Sequence, residues 1–257
     1  MHSFSGRNGI VTGAGSGIGK AVTEKLVAAG GNVVAVGRTS APLDALAAGV
    51  SGAPGRVVAF VGDVTEERTV KAYVACAERE LGPVSFFFNN AGVGGAHKSI
   101  VDTTLDELDA TMAVNFRAVF LGLKYVIPAM RRAGGGQIAN NGSLLSLRGG
   151  TNRCDYTASK HAVLGLTRSA AAECARDNIQ VNIVCPGPVD TPLQRASEEL
   201  VNPADPDYER RRYETGIPMG RYGEPGEVAD TILFLLSGSV PYLTGSAVVL
   251  DGGYMAA

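Results

Sequence analysis

Gly9-Ile10-Val11-Thr12-Gly13-Ala14-Gly15-Ser16-Gly17-Ile18-Gly19 is the stretch on which the fold turns. Its first four residues read as a short strand, and a helical pattern, Ile18–Ala29, begins before the glycines have ended. A glycine-rich junction from strand to helix lets the backbone turn tightly. It also lets a pyrophosphate approach the helix N-terminus, where free N–H groups and the helix dipole favour anions. Glycine marks ordinary strand-to-helix turns as well. The position of this loop at the first such junction is what makes Gly13, Ser16, Gly17, Ile18 and Gly19 candidate nucleotide-binding residues.

Outward from the loop, short β-branched runs alternate with longer helical stretches. Strands are expected at Gly9–Thr12, Asn32–Val36, Val57–Val61, Val84–Phe88, Gly136–Asn140, Ile179–Cys185 and Ala247–Leu250. Helices are expected at Ile18–Ala29, Ala41–Ala48, Glu66–Leu81, Leu105–Arg132, Tyr156–Arg176 and Glu227–Leu236. Strand, helix, strand repeated along a chain means a parallel sheet with helices on both faces, so the fold class is α/β and doubly wound. The third strand, VVAFV, and the sixth, IQVNIVC, are apolar enough to be buried on both faces. No Pro/Ser-rich linker or internal repeat divides residues 1–257, which read as one domain. The rhythm breaks from Pro188 to Tyr222, with no strand signal, several prolines and a mixed-charge run around Glu209–Arg212. Long connections of this kind, placed after a C-terminal strand end, serve as lids over ligands, so 188–222 reads as a substrate lid.

Composition narrows the function. Hydrophobic residues are 45% and charged ones 19% of 257, which excludes a disordered chain. The formal charge of −2 speaks against electrostatic binding to nucleic acid or to a membrane surface. Cys76, Cys154, Cys174 and Cys185 are scattered, and with only His2, His97 and His161 besides, no metal site is expected. Unpaired cysteines suit a reducing, cytoplasmic setting. The N-terminal MHSFSGRNG has no apolar core and does not read as a signal peptide. The uncharged stretch Thr231–Leu250 is broken by Gly238, Pro241 and Gly245, and so reads as helix, turn and strand rather than a membrane span.

A second constellation is Tyr156-Thr157-Ala158-Ser159-Lys160. Residues four apart share one helix face, and an ammonium beside a phenol favours the phenolate, which makes the pair a candidate general acid/base. Alone, such a pair is more often an exposed helix face. It gains force in company.

The company is a set of ordered motifs in which the chain resembles the classical short-chain dehydrogenase/reductase family over nearly its whole length. The TGxxxGxG element is Thr12, Gly13, Gly17 and Gly19; NNAG is Asn89-Asn90-Ala91-Gly92; the helix asparagine matches Asn115. The serine matches Ser143, thirteen residues before Tyr156, and YxxxK is Tyr156 and Lys160. Pro186-Gly187 follows, with Val189 and Thr191, and Asp251-Gly252-Gly253 closes the series. The resemblance implies a Rossmann-type sheet of about seven strands in the order 3-2-1-4-5-6-7, and hydride transfer between a nicotinamide and a carbonyl/alcohol pair. It implies that Tyr156 exchanges a proton with the carbonyl oxygen and that Ser143 holds that oxygen. Lys160 would bind the nicotinamide ribose, and Asn115 would hold a water for proton relay. Thr191 and the Val189 backbone would hold the carboxamide, with Asn90, Ala91, Gly92, Pro186 and Gly187 lining the nucleotide. The Asp63-Val64 pair after the third strand matches the family's adenine contact. A homotetramer is also implied, and the apolar faces carrying Val114, Val119 and Leu121, and Val163, Leu166 and Ala170, are compatible with it.

The departures are informative. The fourth strand carries Phe86-Phe87-Phe88 where small aliphatics are commoner, which reads as bulky packing. Ser146 is a spare hydroxyl near Ser143, and His161 faces away from the Tyr/Lys pair. At the end of the second strand, the slot for a ribose-binding acid that selects NAD is Gly37, and Arg38 follows it. A guanidinium there can pair with a 2′-phosphate, so NADP(H) is favoured and NAD(H) is the alternative; Ser16, where many NADP members carry a base, counts against it. The substrate pocket is expected from Ser143, Leu144, Leu145, Tyr156, Gly94–Ala96, Cys154 and the lid, and their apolar share suggests a substrate with a hydrophobic body. A small-molecule ketone or secondary alcohol is favoured over a 3-oxoacyl group on an acidic carrier protein, for which Arg131-Arg132 and Arg176 are the available basic patch. A non-catalytic nucleotide sensor would lose the Tyr, Lys or Ser, all of which are present. A dehydratase or epimerase would carry an extended C-terminal substrate domain, whereas Gly253 lies four residues from the end of this sequence.

Overall fold

The computed structural model describes residues 2–256. Seven parallel strands, β1 (Asn8–Thr12), β2 (Asn32–Gly37), β3 (Val57–Val61), β4 (Val84–Asn89), β5 (Gly136–Asn141), β6 (Ile179–Pro186) and β7 (Ala247–Leu250), form one sheet in the order β3-β2-β1-β4-β5-β6-β7. The expected strands all form, each within a residue or so of its expected bounds. Period-two alternation divides their side chains between two cores. Ile10, Val34, Val36, Phe87, Val181 and Ile183 face one of them, under α3 (Glu67–Glu80), α5 (Ala118–Arg132) and α6 (Cys154–Cys174). Val11, Val33, Ala35, Phe86, Phe88 and Val184 face the other, under α1 (Gly17–Ala28), α2 (Ser40–Gly49) and α9 (Pro225–Ser237).

The strand β3 corrects one expectation. It is an edge strand, and although VVAFV is wholly apolar, Val61 is 52% exposed and Ala59 is exposed as well. A continuous apolar run cannot tell a central strand from an edge, because position in the sheet is set by long-range pairing. The strand β6 is buried along most of its length, as its composition implies.

The triple Phe86-Phe87-Phe88 is fully buried and is accommodated by two glycines. A Cβ on Gly9 would fall 2.1 Å from the Phe86 ring, and one on Gly122 would fall 2.9 Å from Cζ of Phe87. Phe4 completes the packing edge-on against Phe86, with ring centroids 5.6 Å apart.

The helical run 105–132 is not uniform. Helix α4 (Leu105–Met112), capped by the reciprocal Thr104–Glu107 box, passes into a π-helical turn at Ala113–Arg117 and then into α5. The run is long and apolar enough to cross a membrane by length and composition, yet Val119, Leu121, Leu123 and Val126 are buried against the protein's own sheet. Val163 and Ala170 on α6 belong to the same core. Val119, Leu121, Val163 and Ala170 therefore serve the chain's own interior, whereas Val114 and Leu166 are only partly buried.

The segment 188–222 carries no strand, and its helices are an addition to what the sequence reading placed there. It folds into two helices, α7 (Pro192–Val201) and α8 (Pro206–Gly216), each begun by a proline in its first turn and capped by Thr191 or Asp205. Pro192 and Pro206 stand at helix starts, where a missing N–H costs nothing. Arg195, Arg210, Arg211 and Arg212 each pair with a carboxylate of the same segment.

Candidate active site

The carboxyl ends of β1 to β5 open onto a cleft of about 590 Å³, where open α/β sheets hold ligands. Gly13, Ser16, Gly17 and Ile18 line its floor after β1; Gly37 and Arg38 line it after β2; Asp63 and Val64 after β3; Asn90, Ala91 and Gly92 after β4. Tyr156, Lys160 and Thr191 close its far end. A second cavity of about 280 Å³ adjoins it, lined by Ser143, Leu144, Leu145, Pro186, Gly187 and Val189 among others. Tyr156 lines both, together with Ile18, Asn141, Thr191 and Leu193. The phenol therefore stands at the junction of the two spaces.

A hydrogen-bond chain fixes the motifs to one another. The Thr12 hydroxyl accepts from the N–H groups of Asn90 and Ala91 at 2.9 and 3.1 Å. Asn90 Nδ2 donates to the Thr12 carbonyl at 2.9 Å, and Asn141 Nδ2 donates to Asn90 Oδ1 at 2.9 Å. Lys160 Nζ, almost fully buried, donates to the Asn141 carbonyl at 2.8 Å. One polar line thus joins the glycine loop, the NNAG turn, the end of β5 and the Tyr/Lys helix. Buried polar groups need such partners, and in this line Asn141 Oδ1 alone is buried without one among the described residues.

Tyr156 sits in the first turn of α6. Its neighbour Asp155, 1% exposed, accepts from Thr111 Oγ1 and from the Ala96 N–H, both at 2.8 Å, pinning the helix start to α4 and to the 93–97 loop. Two cations flank the Tyr156 ring: Lys160 Nζ lies 5.5 Å and Arg153 Cζ 4.9 Å from its centroid. Ser143 begins a short 3-10 turn, where its hydroxyl accepts from the Leu145 N–H and its own N–H donates to Ser146 Oγ. Ser146 is fully buried and outside the cavity lining, so the spare hydroxyl supports the Ser143 turn. His161 is exposed and bonds the Thr157 carbonyl of its own helix.

Comparison with known proteins shows the family. Residues 13–255 match the family model described as enoyl-(acyl carrier protein) reductase. Levodione reductase of Leifsonia aquatica is 37% identical over 256 residues, covering 99% of this chain and 96% of its own. A crystal structure of levodione reductase superposes with a TM-score of 0.96 at 37% identity, covering 99% of each chain. The 2,5-dichloro-2,5-cyclohexadiene-1,4-diol dehydrogenase of Sphingobium indicum is 38% identical over the whole of both chains. The chain belongs to the short-chain dehydrogenase/reductase family. It is an NAD(P)-dependent oxidoreductase that interconverts alcohols and ketones.

The dehydrogenase/reductase cleft fits a dinucleotide by its own chemistry. Gly13 and Gly17 have φ of +64° and +51°, and a Cβ on Gly13 would sit 2.9 Å from Asn90 Nδ2. Only bare backbone can line the loop there. Ser16 precedes helix α1 and gives it no side-chain cap, so its first-turn N–H groups face the cleft unpaired by any capping oxygen. Gly19 lies behind the loop, where a Cβ would fall 2.2 Å from the Gly13 carbonyl oxygen; it packs helix on strand rather than lining the cleft. Asp63 is held below the usual carboxylate range chiefly by the Thr65 N–H and hydroxyl, with Arg38 a lesser influence.

Several expected pocket residues of the enzyme lie elsewhere. Cys154 does not line the cavity and lies 3.3 Å from the Thr103 hydroxyl, and of Gly94–Ala96 only Gly94 lines it. Pro186, Gly187 and Val189 border the second cavity rather than the cleft. The lining also includes Arg212 and Tyr213 of the expected lid, together with Arg148, Arg153 and Tyr254, which were not foreseen, so it is less apolar than expected. A signal for Arg153 existed: three residues before Tyr156 at a helix start, it falls on the same face. Tyr254 gave none, because only the closing turn at Asp251-Gly252-Gly253 brings it to the cavity.

Proposed function

We propose that the enzyme uses NADP(H) in preference to NAD(H) to interconvert a small ketone and its secondary alcohol, with Tyr156 as general acid/base. The observation that carries the reading is the position of Tyr156 on the wall shared by the dinucleotide cleft and the second cavity. Bound nicotinamide supplies or accepts the hydride. The chain's own residues do the rest. Ser143 and Tyr156 both border the second cavity, and their hydroxyls hold the substrate oxygen, with the Tyr156 hydroxyl giving or taking the proton there. Lys160, charged and anchored on the Asn141 carbonyl, stabilises the phenolate that remains after the proton has gone. Thr191, which lines both spaces and caps α7, with Val189 beside it, positions the ring that faces the substrate. Asn115 lies in the π-helical turn, a geometry that breaks the ordinary i to i−4 ladder and suits a carbonyl turned toward a relay water.

The preference for NADP(H) rests on Gly37 and Arg38 at the cleft rim: no side-chain acid stands at the end of β2, and an exposed guanidinium lies next to it. A small free substrate is favoured over a carrier-bound one. Arg131 pairs with Asp177 and Arg132 with Glu78, so the basic patch that an acidic carrier would need is largely neutralised. A cytoplasmic location accords with four free cysteines. Association into a tetramer is the arrangement the family resemblance implies, and it is supported by Phe120, Val249 and the fully exposed Tyr242, apolar surface that a partner would cover. The lid role of 188–222 rests on Leu193, Gln194, Ser197, Arg212 and Tyr213, which border the second cavity.

The test is direct. Purified protein with NADPH and a panel of small ketones is followed by loss of nucleotide absorbance, and with NADP and the matching alcohols by its gain. Turnover in either direction that disappears in Tyr156→Phe supports the reading. Turnover that survives the substitution overturns the role of Tyr156.

A further inference from the structure

The wall of the second cavity is one-sided in charge. Arg148, Arg153 and Arg212 line it, and no aspartate or glutamate does. Arg212 is neutralised by Glu209 at 2.7 Å, as the other lid arginines are by their own carboxylates. Arg153 and Arg148 have no carboxylate within ion-pair distance among the described residues. Arg148 is exposed at the mouth, stacked on the Tyr254 ring at 4.8 Å. Arg153 lies deeper. Its Nη1 is 2.9 Å from His97 Nε2 and 3.0 Å from Ser197 Oγ, and its buried Nε has no acceptor among the described residues.

A half-buried guanidinium held by neutral groups, with a buried donor left unbonded, carries a charge that the fold itself does not compensate. Desolvating a cation without a counter-charge is costly, and a buried donor left unbonded calls for a partner from outside the fold. His97 cannot supply it. Burial, reinforced by Arg153, pushes its imidazole down to about 4, so it stays neutral near pH 7. The Asp155 carboxylate is turned to Thr111 and Ala96. The planar fork of Arg153 is suited to a carboxylate, which it can grip through two donors.

We propose that the substrate is a small oxo acid, or the matching hydroxy acid, whose carboxylate is bound by Arg153 while its carbonyl meets Ser143 and Tyr156, with Arg148 drawing the anion in at the mouth. The proposal rests on the ketone/alcohol reading above and names its substrate class. The Arg153 Cζ lies 4.9 Å from the Tyr156 ring centroid, which suits a carboxylate only a few carbon atoms from the reacting carbonyl. Ser197 belongs to α7, so the group that grips the anion is also tied to the lid.

The experiment compares pyruvate, acetoacetate and levulinate with their methyl esters as substrates for the full chain with NADPH, in wild type, Arg153→Met and Arg153→Lys. Binding of the same acids and esters is also measured by calorimetry without turnover. The expected result is that at least one acid exceeds its ester in kcat/KM by about tenfold or more. Arg153→Met should raise KM for that acid about ten- to hundredfold and bring the acid-to-ester ratio of kcat/KM towards one, and Arg153→Lys should recover part of the loss. Equal use of acid and ester, use of neutral ketones alone, or an acid preference that survives Arg153→Met overturns the proposal and leaves the oxidoreductase reading intact. If no ketone or alcohol turns over, calorimetry decides: acid binding that weakens in Arg153→Met supports the anion site, and binding that is absent or unchanged overturns it.

Discussion

The side chain of Asn115 forms a closed pair of hydrogen bonds with the backbone of Val93: Oδ1 accepts from the Val93 N–H at 2.8 Å, and Nδ2 donates to the Val93 carbonyl at 3.0 Å. The same Nδ2 lies 3.1 Å from Ser159 Oγ on the Tyr/Lys helix. Asn115 is wholly buried, so removing its amide leaves several interior groups without partners. Asn115→Ala should lower stability by about 2–4 kcal/mol, since each orphaned buried group costs about 1–3 kcal/mol. Urea titration checks this, with a lower midpoint at unchanged slope. Activity should fall further than the population of folded protein does, because the 93–97 loop and α6 lose their common tie.

Tyr156→Phe removes one hydroxyl at the junction of the two cavities and leaves the ring between Lys160 and Arg153. Nucleotide affinity should change little, whereas kcat should drop about a hundred- to ten-thousandfold, the usual worth of a positioned general acid/base. Parallel nucleotide titration and steady-state rates separate the two effects. A comparable fall in both would mean that Tyr156 binds nucleotide rather than exchanging a proton.

Arg38 is exposed on the cleft rim beside Gly37. Arg38→Ala should weaken NADPH about ten- to hundredfold through the loss of a charge-assisted pair with the 2′-phosphate, and leave NADH almost unchanged. Binding followed by nucleotide fluorescence is the cleanest readout, because a chain without tryptophan offers little intrinsic signal. Equal losses for the two nucleotides would remove Arg38 as selector.

The pH dependence of stability should carry the mark of His97. Its imidazole is pushed from 6.5 to about 4 by burial and then by the charge of Arg153. At neutral pH it is uncharged whether the chain is folded or unfolded, and it adds no slope. As the pH falls from about 6.5 towards 4, the unfolded chain takes a proton that the folded one refuses, so stability declines; below about 4 both take it and this slope ends. His97→Asn removes the titration at a site with φ of 57°, a conformation that asparagine tolerates. Melting temperatures between pH about 7 and about 5 should fall less in the variant than in wild type.

What was legible in the sequence follows from how local each signal is. Strand positions, the glycine loop and the i, i+4 pair of Tyr156 and Lys160 are periodic or contiguous, and the structure places them as read. The edge position of β3 is a property of pairing between distant segments, which VVAFV does not encode. The helices of 188–222 were hidden because proline breaks a helix interior but starts a helix end, and only the caps Thr191 and Asp205 distinguish the two. The π-helical turn around Asn115 leaves no mark in hydrophobic spacing. The arginines of the second cavity converge from the turn after β5, the start of α6 and α8, so their common wall exists only in three dimensions.

Gly122 and Phe87 show the same dependence from the packing side, and a double-mutant cycle measures it. A Cβ on Gly122 would meet Phe87 Cζ at 2.9 Å, Phe87 Cε1 at 3.0 Å and Asn89 Nδ2 at 2.8 Å. Gly122→Ala gains helix propensity but forces the ring and the amide aside, and overpacking of this kind costs about 1–3 kcal/mol. Phe87→Leu alone leaves a void in a core where the ring is fully buried, and should also destabilise, by about 1–3 kcal/mol. In the double variant the smaller side chain vacates the space that the new methyl needs. Its loss should be smaller than the sum of the two single losses by about 1 kcal/mol, a coupling expected only of residues in contact. Strict additivity in urea unfolding would show that Asn89, and not Phe87, yields to the methyl, which Gly122→Ala combined with Asn89→Ser would then test.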